Sequence, residues 1–302
     1  MNAVVLITGA NGMLAKSLAK SLGSNYTVRF LTRKVTRQNE FKWDIKLKYI
    51  DPEALKDVNH IIHLAGSSVA EKRWTLKRKR DIYRSRVDSS RLILNELQKN
   101  NQKIDSFISA SAIGYYGSKT TNDILTEESE NGEDYLGEVC KDWESVAHTF
   151  KEKNVAHNTS ILRLGIVLKN NSGALKKMTP SVRWGLGACI GTGKQWIPWI
   201  HIHDLCEIIK FLLENDVNGT YNAVAPDHVT NHTFTQALAT ALKRKIILPN
   251  IPPLFFKLLF GEMAVVLLTG SRVSSDKIVG RGYDFKYANL QAALGNIFSP
   301  KN

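Results

Sequence analysis

The N-terminal segment is the feature that most constrains the fold of this chain. An apolar run at residues 3–7 leads into TGANGMLA at residues 8–15, and a stretch with helical spacing follows. A strand, a glycine-rich turn and a helix in this order are typical of the phosphate-binding start of a Rossmann βαβ unit. Gly9 permits the tight turn, and Gly12 lets the backbone approach a pyrophosphate at the helix N-terminus. An ordinary βα turn that happens to contain two glycines is the alternative interpretation.

Short apolar runs alternate with longer stretches of helical spacing through the first half of the chain. The runs are rich in β-branched residues and lack polar alternation, which is typical of strands buried on both faces of a parallel sheet. They lie at residues 3–7, 27–31, 60–64, 106–109 and 160–164. We therefore expect an α/β protein with a Rossmann-type, doubly wound parallel sheet.

The alternation weakens after about Gly165. Glycine- and proline-rich segments are followed by a predicted helix near 204–214, a strand near 220–224 and a helix-like stretch at 287–297. We expect residues 1–167, with about 203–226 threaded back into the sheet, to form the nucleotide-binding domain. Residues 168–202 and 227–302 are expected to form a smaller, irregular α+β lobe for the substrate.

Composition limits the class of protein. The chain has 302 residues, of which 43% are hydrophobic, and this content supports a substantial core. The net charge of +13 is compatible with a polyanionic partner, a solvated lysine-rich surface or a small anionic ligand. The three cysteines form no paired motif, and no uninterrupted apolar stretch reaches the roughly 20 residues that a bilayer requires. We expect a cytoplasmic protein without a signal peptide, a metal site, or a nucleic-acid or membrane partner.

A series of motifs resembles the extended short-chain dehydrogenase/reductase superfamily, in its sugar-nucleotide-epimerase branch. In chain order the motifs are TGANGMLA at 8–15, TRK at 32–34, WD at 43–44, LAG at 64–66, KRW at 72–74, SR at 85–86, SASAIGYYG at 109–117, CKDWE at 140–144 and WIHIHDL at 199–205. Over almost the whole chain they look like NAD(P)-dependent epimerase-family proteins. The tail from about Leu248 resembles the small C-terminal domain of those proteins.

The resemblance implies a nicotinamide dinucleotide cofactor, and charge indicates which one. Enzymes that use NAD place an acid near the end of strand two, whereas enzymes that use NADP place an arginine nearby. Here Thr32 and Arg33 occupy this place, and Arg33 can bind a 2′-phosphate, although a solvated arginine is the alternative. We expect NADP(H). The other expected cofactor-binding residues are Gly9, Asn11, Gly12, Met13, Leu14, Asp44, Leu64, Ala65, Gly66, Arg86 and Leu164.

The position of Arg86 follows from helical periodicity. In the predicted helix at 76–97, Ile82, Ile93 and Leu97 form one apolar row, and Arg86 lies in that row. A guanidinium directed toward the sheet requires an anionic partner. The resemblance implies a cofactor phosphate, and a structural salt bridge is the alternative.

The usual catalytic pair of this superfamily is absent. Its dehydrogenases use a Ser or Thr with a Tyr and a Lys four residues apart on one helix, where the Lys lowers the pKa of the Tyr. Ser111 fits the first position. The helix around Tyr135 has no lysine four residues later, and alignment on Glu144 places Leu136 and Cys140 at the Tyr and Lys positions. Ordinary dehydrogenase chemistry is therefore in doubt.

Two other tyrosines are candidates for the proton-transfer group. Tyr115 and Tyr116 follow Ser111 closely and could donate the proton in place of the missing pair. Tyr115 and Lys119 also match the literal Tyr-x-x-x-Lys pattern, but glycines flank and interrupt this segment and no helical pattern supports it.

These observations favour an NADP(H)-dependent oxidoreductase or epimerase. Its substrate would be small and possibly sugar- or nucleotide-like, and the protein could form a homodimer. The alternative is an NADP(H)-binding regulatory or redox-sensor protein that has lost efficient turnover.

Overall fold

The computed structural model describes residues 2–299 of the chain. An eight-stranded sheet lies at the centre of the fold. The strands are β1 (Ala3–Thr8), β2 (Tyr26–Thr32), β3 (Glu40–Asp44), β4 (Tyr49–Ile50), β5 (His60–His63), β6 (Ile104–Ala112), β7 (Ile124–Leu125), β8 (Ala156–Leu164), β9 (Ile166–Leu168), β10 (Trp199–His201), β11 (Gly219–Ala223) and β12 (Arg272–Val273). The helices are α1 (Met13–Leu22), α2 (Pro52–Leu55), α3 (Leu76–Arg84), α4 (Val87–Lys99), α5 (Tyr135–Glu152), α6 (Gly173–Arg183), α7 (Ile202–Glu214), α8 (Asn231–Ala241), α9 (Pro253–Phe260), α10 (Val265–Leu268), α11 (Asp276–Val279) and α12 (Leu290–Phe298).

The strand order of the main sheet is β11-β8-β6-β5-β1-β2-β3-β4. The pairs are parallel, except that β4 runs antiparallel to β3 at the edge. Because the chain passes from β1 to β2 on one side and later returns to β5 on the other, the strand order reverses between β1 and β5. The carboxyl ends of strands at such a reversal border a crevice where ligands bind in open α/β sheets.

Both faces of the sheet are covered by helices. Successive strand residues such as Leu6 and Ile7 point to opposite faces, and both are fully buried. One face packs against α4 and α5, and the other packs against α1 and α7. The predicted doubly wound α/β class is confirmed, and each of the five predicted strands is present.

The second half of the chain contributes both to this sheet and to a separate core. Strand β11 pairs in parallel with β8 at the sheet edge. A separate apolar cluster joins α6, α8 and α12 through residues such as Leu175, Phe234 and Leu294. The short pairs β9–β10 and β7–β12 lie outside the main sheet. The exact division at residue 167 stays a prediction.

A buried carboxylate binds the C-terminal segment, and the last helix begins three residues later than the sequence pattern predicts. Asp204, in the first turn of α7, accepts hydrogen bonds from the backbone N–H groups of Lys286 and Tyr287 at 2.9 and 3.1 Å. These bonds hold both residues outside the helix that the sequence pattern places at 287–297. Helix α12 begins at Leu290 instead, after Asn289, whose side chain accepts hydrogen bonds from the first turn.

The hydroxyl of Thr8 joins the ends of β1 and β5. Its Oγ1 accepts hydrogen bonds from the backbone N–H groups of Leu64 and Ala65, each at 2.9 Å, and lies 3.0 Å from Nδ1 of His63. Thr8 is fully buried, so water cannot replace these partners. The hydroxyl therefore determines how closely the two strand ends approach at the crevice.

We predict that Thr8→Val lowers the free energy of unfolding by roughly 3 kcal/mol, because two buried N–H groups and one imidazole nitrogen lose their partner. The measurement is urea unfolding at pH 7. Thr8→Ser is the matched control, since it keeps the hydroxyl and should lose much less. Equal losses in the two variants would contradict this role.

Candidate functional site

Gly9 occupies the turn directly after β1. It adopts a left-handed conformation with φ of +76°, and a Cβ atom here would lie 3.0 Å from the carbonyl oxygen of Leu64. A side chain at this position would therefore strain the backbone and push β1 away from β5. The glycine allows the two strand ends to approach at the crevice.

The N-terminus of α1 follows this turn. The N–H of Gly12 donates to the carbonyl of Gly9 at 2.7 Å, and the helix begins at Met13. Gly12 has no side chain to cap the helix, and the first turn contains no acidic residue. The first N–H groups of α1 therefore remain able to bind an anion. Asn11 is exposed beside them, and Leu14 packs against the core.

Arg86 lies at a break between α3 and α4, not within the single helix that the sequence pattern predicts. Side chains compete here for backbone acceptors: the Ser85 hydroxyl donates to the Ile82 carbonyl at 2.9 Å, and Nη1 of Arg86 donates to the same carbonyl at 3.1 Å. Such bonds favour a break in the helix. The guanidinium lies over the ring of Trp143, 5.4 Å from its centroid, and a Cβ atom at Gly66 would approach it to 3.1 Å.

Among residues 2–299, Arg86 carries a charge without a counterion. Within residues 2–299, no carboxylate lies within 4.0 Å of its guanidinium. Burial lowers the pKa of this arginine, which reflects the cost of removing its charge from water. A structural salt bridge, the alternative from the sequence, is therefore not found in this part of the chain. The charge is available to an anionic ligand.

The ends of β2 and β3 carry three further predicted residues. Thr32 is buried, and its hydroxyl bonds the carbonyl of Lys34 at 3.2 Å. Arg33 is exposed. The carboxylate of Asp44 accepts hydrogen bonds from the backbone of Lys46 and Leu47 in the turn after β3.

A cavity of about 400 Å³ brings five of the predicted residues together. We call it the Ser111 cavity. It lies at the carboxyl ends of β5, β6 and β8, and the segments that carry Gly66 and Arg86 form part of its wall. The predicted site residues in its wall are Leu64, Gly66, Arg86, Ser111 and Leu164. Ala65 is buried beside it through the Thr8 hydrogen bond.

A chain of buried polar groups begins at Ser111. Its hydroxyl donates to Oε1 of Glu144 at 2.6 Å. Glu144 forms a bidentate ion pair with Arg163, with N–O distances of 2.9 Å from both Nε and Nη2. Arg163 also donates to the hydroxyl of Tyr116 at 3.0 Å, and that hydroxyl donates to Asn222 at 2.6 Å. All five side chains are buried.

Sequence reasoning assigned no role to Glu144 or Arg163. A signal was present, because Glu144 follows Cys140 by one helical turn on an otherwise apolar face. Arg163 similarly interrupts the apolar core of a predicted strand. A charge at such a position requires a partner of opposite charge, but the pairing between α5 and β8 depends on the tertiary fold.

The two candidate tyrosines belong to this polar chain. Tyr116 is 1% exposed, and burial raises its pKa to about 12. The ring of Tyr115 stacks on the guanidinium of Arg163, whose carbon lies 3.4 Å from the ring centroid. Neither tyrosine is among the described residues that line the Ser111 cavity.

Two apolar residues occupy the positions of the usual Tyr and Lys. Leu136 and Cys140 lie one helical turn apart on α5 and both line the Ser111 cavity. Burial raises the pKa of the Cys140 thiol to about 12, so it stays protonated at neutral pH and is a poor nucleophile. Tyr135 points elsewhere, since its hydroxyl donates to the carbonyl of Lys79. The two residues that the alignment on Glu144 places at the Tyr and Lys positions are therefore the ones that line the cavity.

Together these features define a Rossmann-type α/β protein in which a glycine turn and an uncapped helix N-terminus lie beside a cavity. Two family models match the chain: "NAD dependent epimerase/dehydratase family" over residues 5–141 and "Domain of unknown function (DUF1731)" over residues 251–297.

Relatives and a solved structure extend this similarity to nearly the full length. An epimerase family protein of Mycobacterium bovis is 30% identical, and the match covers 97% of each chain. The "Epimerase family protein SDR39U1 homolog, chloroplastic" of Arabidopsis thaliana is 32% identical over 97% of this chain and 86% of its own. The crystal structure of human epimerase family protein SDR39U1 (isoform 2) with NADPH superposes with a TM-score of 0.87 at 28% identity, covering 98% of this chain and 99% of that chain. The chain belongs to this epimerase family.

No helix among residues 2–299 is both long and apolar enough to cross a bilayer.

A buried histidine connects the Thr8 hydroxyl to the segment that carries Arg86. Because Thr8 already accepts two N–H groups, its own proton must point to Nδ1 of His63. The Nε2–H of His63 then points to Ser89, 3.1 Å away. Burial lowers the pKa of His63 to about 4, so the ring is neutral at pH 7.

We predict that His63 makes the protein sensitive to acid between about pH 6.5 and 4. In this range the unfolded chain binds a proton that the folded state excludes, so the free energy of unfolding falls as the pH is lowered, by up to roughly 3 kcal/mol. His63→Gln should lose this part of the dependence, measured by urea unfolding at pH 7 and pH 4.5. His201, whose pKa burial also lowers to about 4, keeps its own contribution.

The matched control is His148→Gln, an exposed position on α5. It should keep the wild-type difference between the two pH values. A His63→Gln variant with the full wild-type difference would show that His63 is not the group responsible.

Proposed function

We propose that this protein is an NADP(H)-dependent oxidoreductase that interconverts a hydroxyl and a carbonyl group on a small substrate. The observation that supports this most strongly is the position of Ser111. Its hydroxyl lies in the wall of a cavity beside an anion-binding turn, and a buried carboxylate orients it. A purely structural serine at the end of a buried strand would not require this arrangement.

The residues present fit a phosphorylated dinucleotide. The tight turn requires glycine, because a Cβ atom at Gly9 would lie 3.0 Å from the Leu64 carbonyl oxygen and one at Gly12 would lie 3.0 Å from the Gly9 carbonyl oxygen. The N-terminus of α1, directly after this turn, can donate to a phosphate. Arg86 offers a guanidinium that pairs with no carboxylate in the part of the chain that the structure describes. Arg33, exposed at the end of β2, would bind the 2′-phosphate, since no acid competes there. The NADPH in the crystal structure of the human relative supports the same cofactor.

Ser111 would accept the substrate proton. Because its own proton is donated to Glu144, the lone pairs of Ser111 are free to accept a hydrogen bond from a substrate hydroxyl. As the substrate proton moves to Oγ of Ser111, the serine proton moves to Oε1 of Glu144. In carbonyl reduction both protons move in the opposite direction. NADP(H), when bound, would accept or supply the hydride at the substrate carbon that bears this oxygen.

This assignment gives Glu144 the proton-transfer role that the sequence suggested for Tyr115 or Tyr116. Proton transfer by Tyr115 or Tyr116 stays a prediction of the sequence. In the present proposal Tyr116 acts indirectly, since its hydroxyl contacts Arg163, which neutralises the buried charge of Glu144. The ring of Tyr115 covers the same guanidinium. In this proposal Ser111 keeps the usual position of the Ser, and Glu144 takes over the proton-transfer role of the missing Tyr and Lys.

A second candidate function is a nucleotide-binding sensor. The apolar Leu136 and Cys140 at the positions of the usual pair favour this alternative. A sensor would bind NADPH with the same preference and show no turnover on any alcohol or carbonyl.

The compartment stays a prediction of the sequence: three free cysteines favour a reducing cytoplasm, and the Arabidopsis relative is named chloroplastic. A homodimer likewise stays a prediction.

We predict that Arg33→Ala reduces the preference for NADPH over NADH by roughly 10- to 100-fold, because one charge-assisted contact to the 2′-phosphate is lost. Fluorescence titration with each nucleotide measures both dissociation constants. Arg37→Ala is the control, since it removes the same charge from the same loop and should keep the preference. Equal affinity of the wild type for NADPH and NADH would contradict the cofactor assignment.

We predict that Ser111→Ala and Glu144→Gln each lower kcat by about 100-fold or more, because each removes a group from the proton path. The NADPH dissociation constant should change less than twofold, since neither side chain is assigned to the cofactor. The measurement is nicotinamide absorbance with a panel of alcohols and carbonyls. Ser109→Ala, a buried serine of the same strand that hydrogen-bonds a backbone carbonyl, is the control. Full activity of Ser111→Ala would refute the mechanism.

A further inference from the structure

A second and larger cavity adjoins the Ser111 cavity. Its volume is about 710 Å³, and the two cavities share Ile166, Ile197 and Val266 in their walls. We call it the lobe cavity, since α6, α8 and the C-terminal segment enclose it. A volume of this size accommodates a complete small ligand.

The wall of the lobe cavity is apolar. Its large apolar side chains include Met178, Phe234, Phe256, Phe260, Met263 and Leu267. The last four belong to residues 251–297, the segment that matches a domain of unknown function. This segment therefore supplies much of the apolar wall.

Three polar side chains of the wall make hydrogen bonds within the protein. Asn231 accepts from the N–H of Ile190 at 2.8 Å, and the hydroxyl of Thr235 donates to the carbonyl of Asn231 at 2.7 Å. The hydroxyl of Ser181 donates to the carbonyl of Met178 at 2.9 Å. These contacts reduce the number of polar groups that could bind the hydroxyls of a sugar.

The charges around the lobe cavity do not match a nucleoside diphosphate. Among the described lining residues only Glu71 and Lys177 carry charge, and both are exposed. Nζ of Lys177 donates to the carbonyl of Ala70. Two buried phosphates would therefore face one cation and one anion, and the loss of their hydration would be poorly compensated.

The opening of the cavity has both apolar and charged side chains. Leu186 lines the cavity and is 62% exposed, so it lies where the cavity meets solvent. Glu71 and Lys177 also line the cavity and are exposed. Leu186 therefore offers an apolar molecule one contact at the opening.

We propose that the lobe cavity binds the body of an elongated, uncharged, lipophilic substrate, whose hydroxyl or carbonyl group extends into the Ser111 cavity. This substrate class rests on the proposed function, which supplies the reaction at Ser111. The binding of the apolar body does not depend on that reaction and can be measured separately.

The test uses the full-length protein and the neutral fluorescent probe N-phenyl-1-naphthylamine. The probe should bind with increased fluorescence, and straight-chain 2-ketones from six to twelve carbons should displace it. Each added methylene should improve competition by about fourfold until the cavity is filled, because each buries further apolar surface. UDP-glucose should not displace the probe. An absence of probe binding, or displacement by UDP-glucose and not by the ketones, would overturn the proposal.

Variants on α6 locate the binding site. Ala174 lines the lobe cavity, so Ala174→Trp should fill part of it and weaken probe and ketone binding by at least tenfold. Lys176→Trp adds the same ring at an exposed position of the same helix and should bind like the wild type. Equal binding by the two variants would place the probe elsewhere and refute the proposal. If Ala174→Trp does not fold, the chain-length series on the wild type still decides.

NADPH titration of the same samples separates the two proposals. Ketone binding without NADPH binding would refute the proposed function and leave the lobe cavity assignment in place. NADPH binding without competition by any ketone would refute the lobe cavity assignment alone.

Discussion

The hydrogen bonds of the Thr8 hydroxyl are the interaction on which the rest of the site depends. They join the carboxyl ends of β1 and β5 at the reversal of strand order, where an α/β sheet opens its ligand crevice. The Gly9 turn follows one strand, and the loop with Gly66 follows the other. Through His63 and Ser89 the same network extends to the start of α4, next to Arg86. One buried hydroxyl thereby positions both the anion-binding turn and the free cation.

A second buried interaction organises the other side of the crevice. The ion pair between Glu144 and Arg163 connects α5 to β8, and it places a carboxylate behind Ser111. A buried ion pair contributes little to stability relative to apolar residues of similar size, because the loss of hydration offsets the attraction. Its retention here is consistent with a role at the cavity, where an oriented hydroxyl is useful.

Much of the fold could be predicted, because its signals are local. Alternating apolar runs and helical spacing indicated a doubly wound sheet, and the glycine spacing indicated the anion-binding turn. Strand β3 was missed because three of its five residues, including Glu40 and Asp44, are charged. The break at Arg86 was missed because periodicity does not report side chains that compete for the Ile82 carbonyl. The start of α12 was placed too early, since a distant carboxylate, Asp204, holds the residues before it.

The sequence by itself determined the fold class, the family and the position of the anion-binding turn, since each depends on residues that are neighbours in the chain. It also indicated that the usual Tyr and Lys pair is absent, because that pair lies within one helix. Only the tertiary structure decided that Glu144 and Arg163 lie behind Ser111. Ser111, Glu144 and Arg163 come from β6, α5 and β8, and the lobe cavity joins residues separated by more than 180 positions, such as Ser68 and Met263. Contacts between such distant segments arise from packing, which no local pattern encodes.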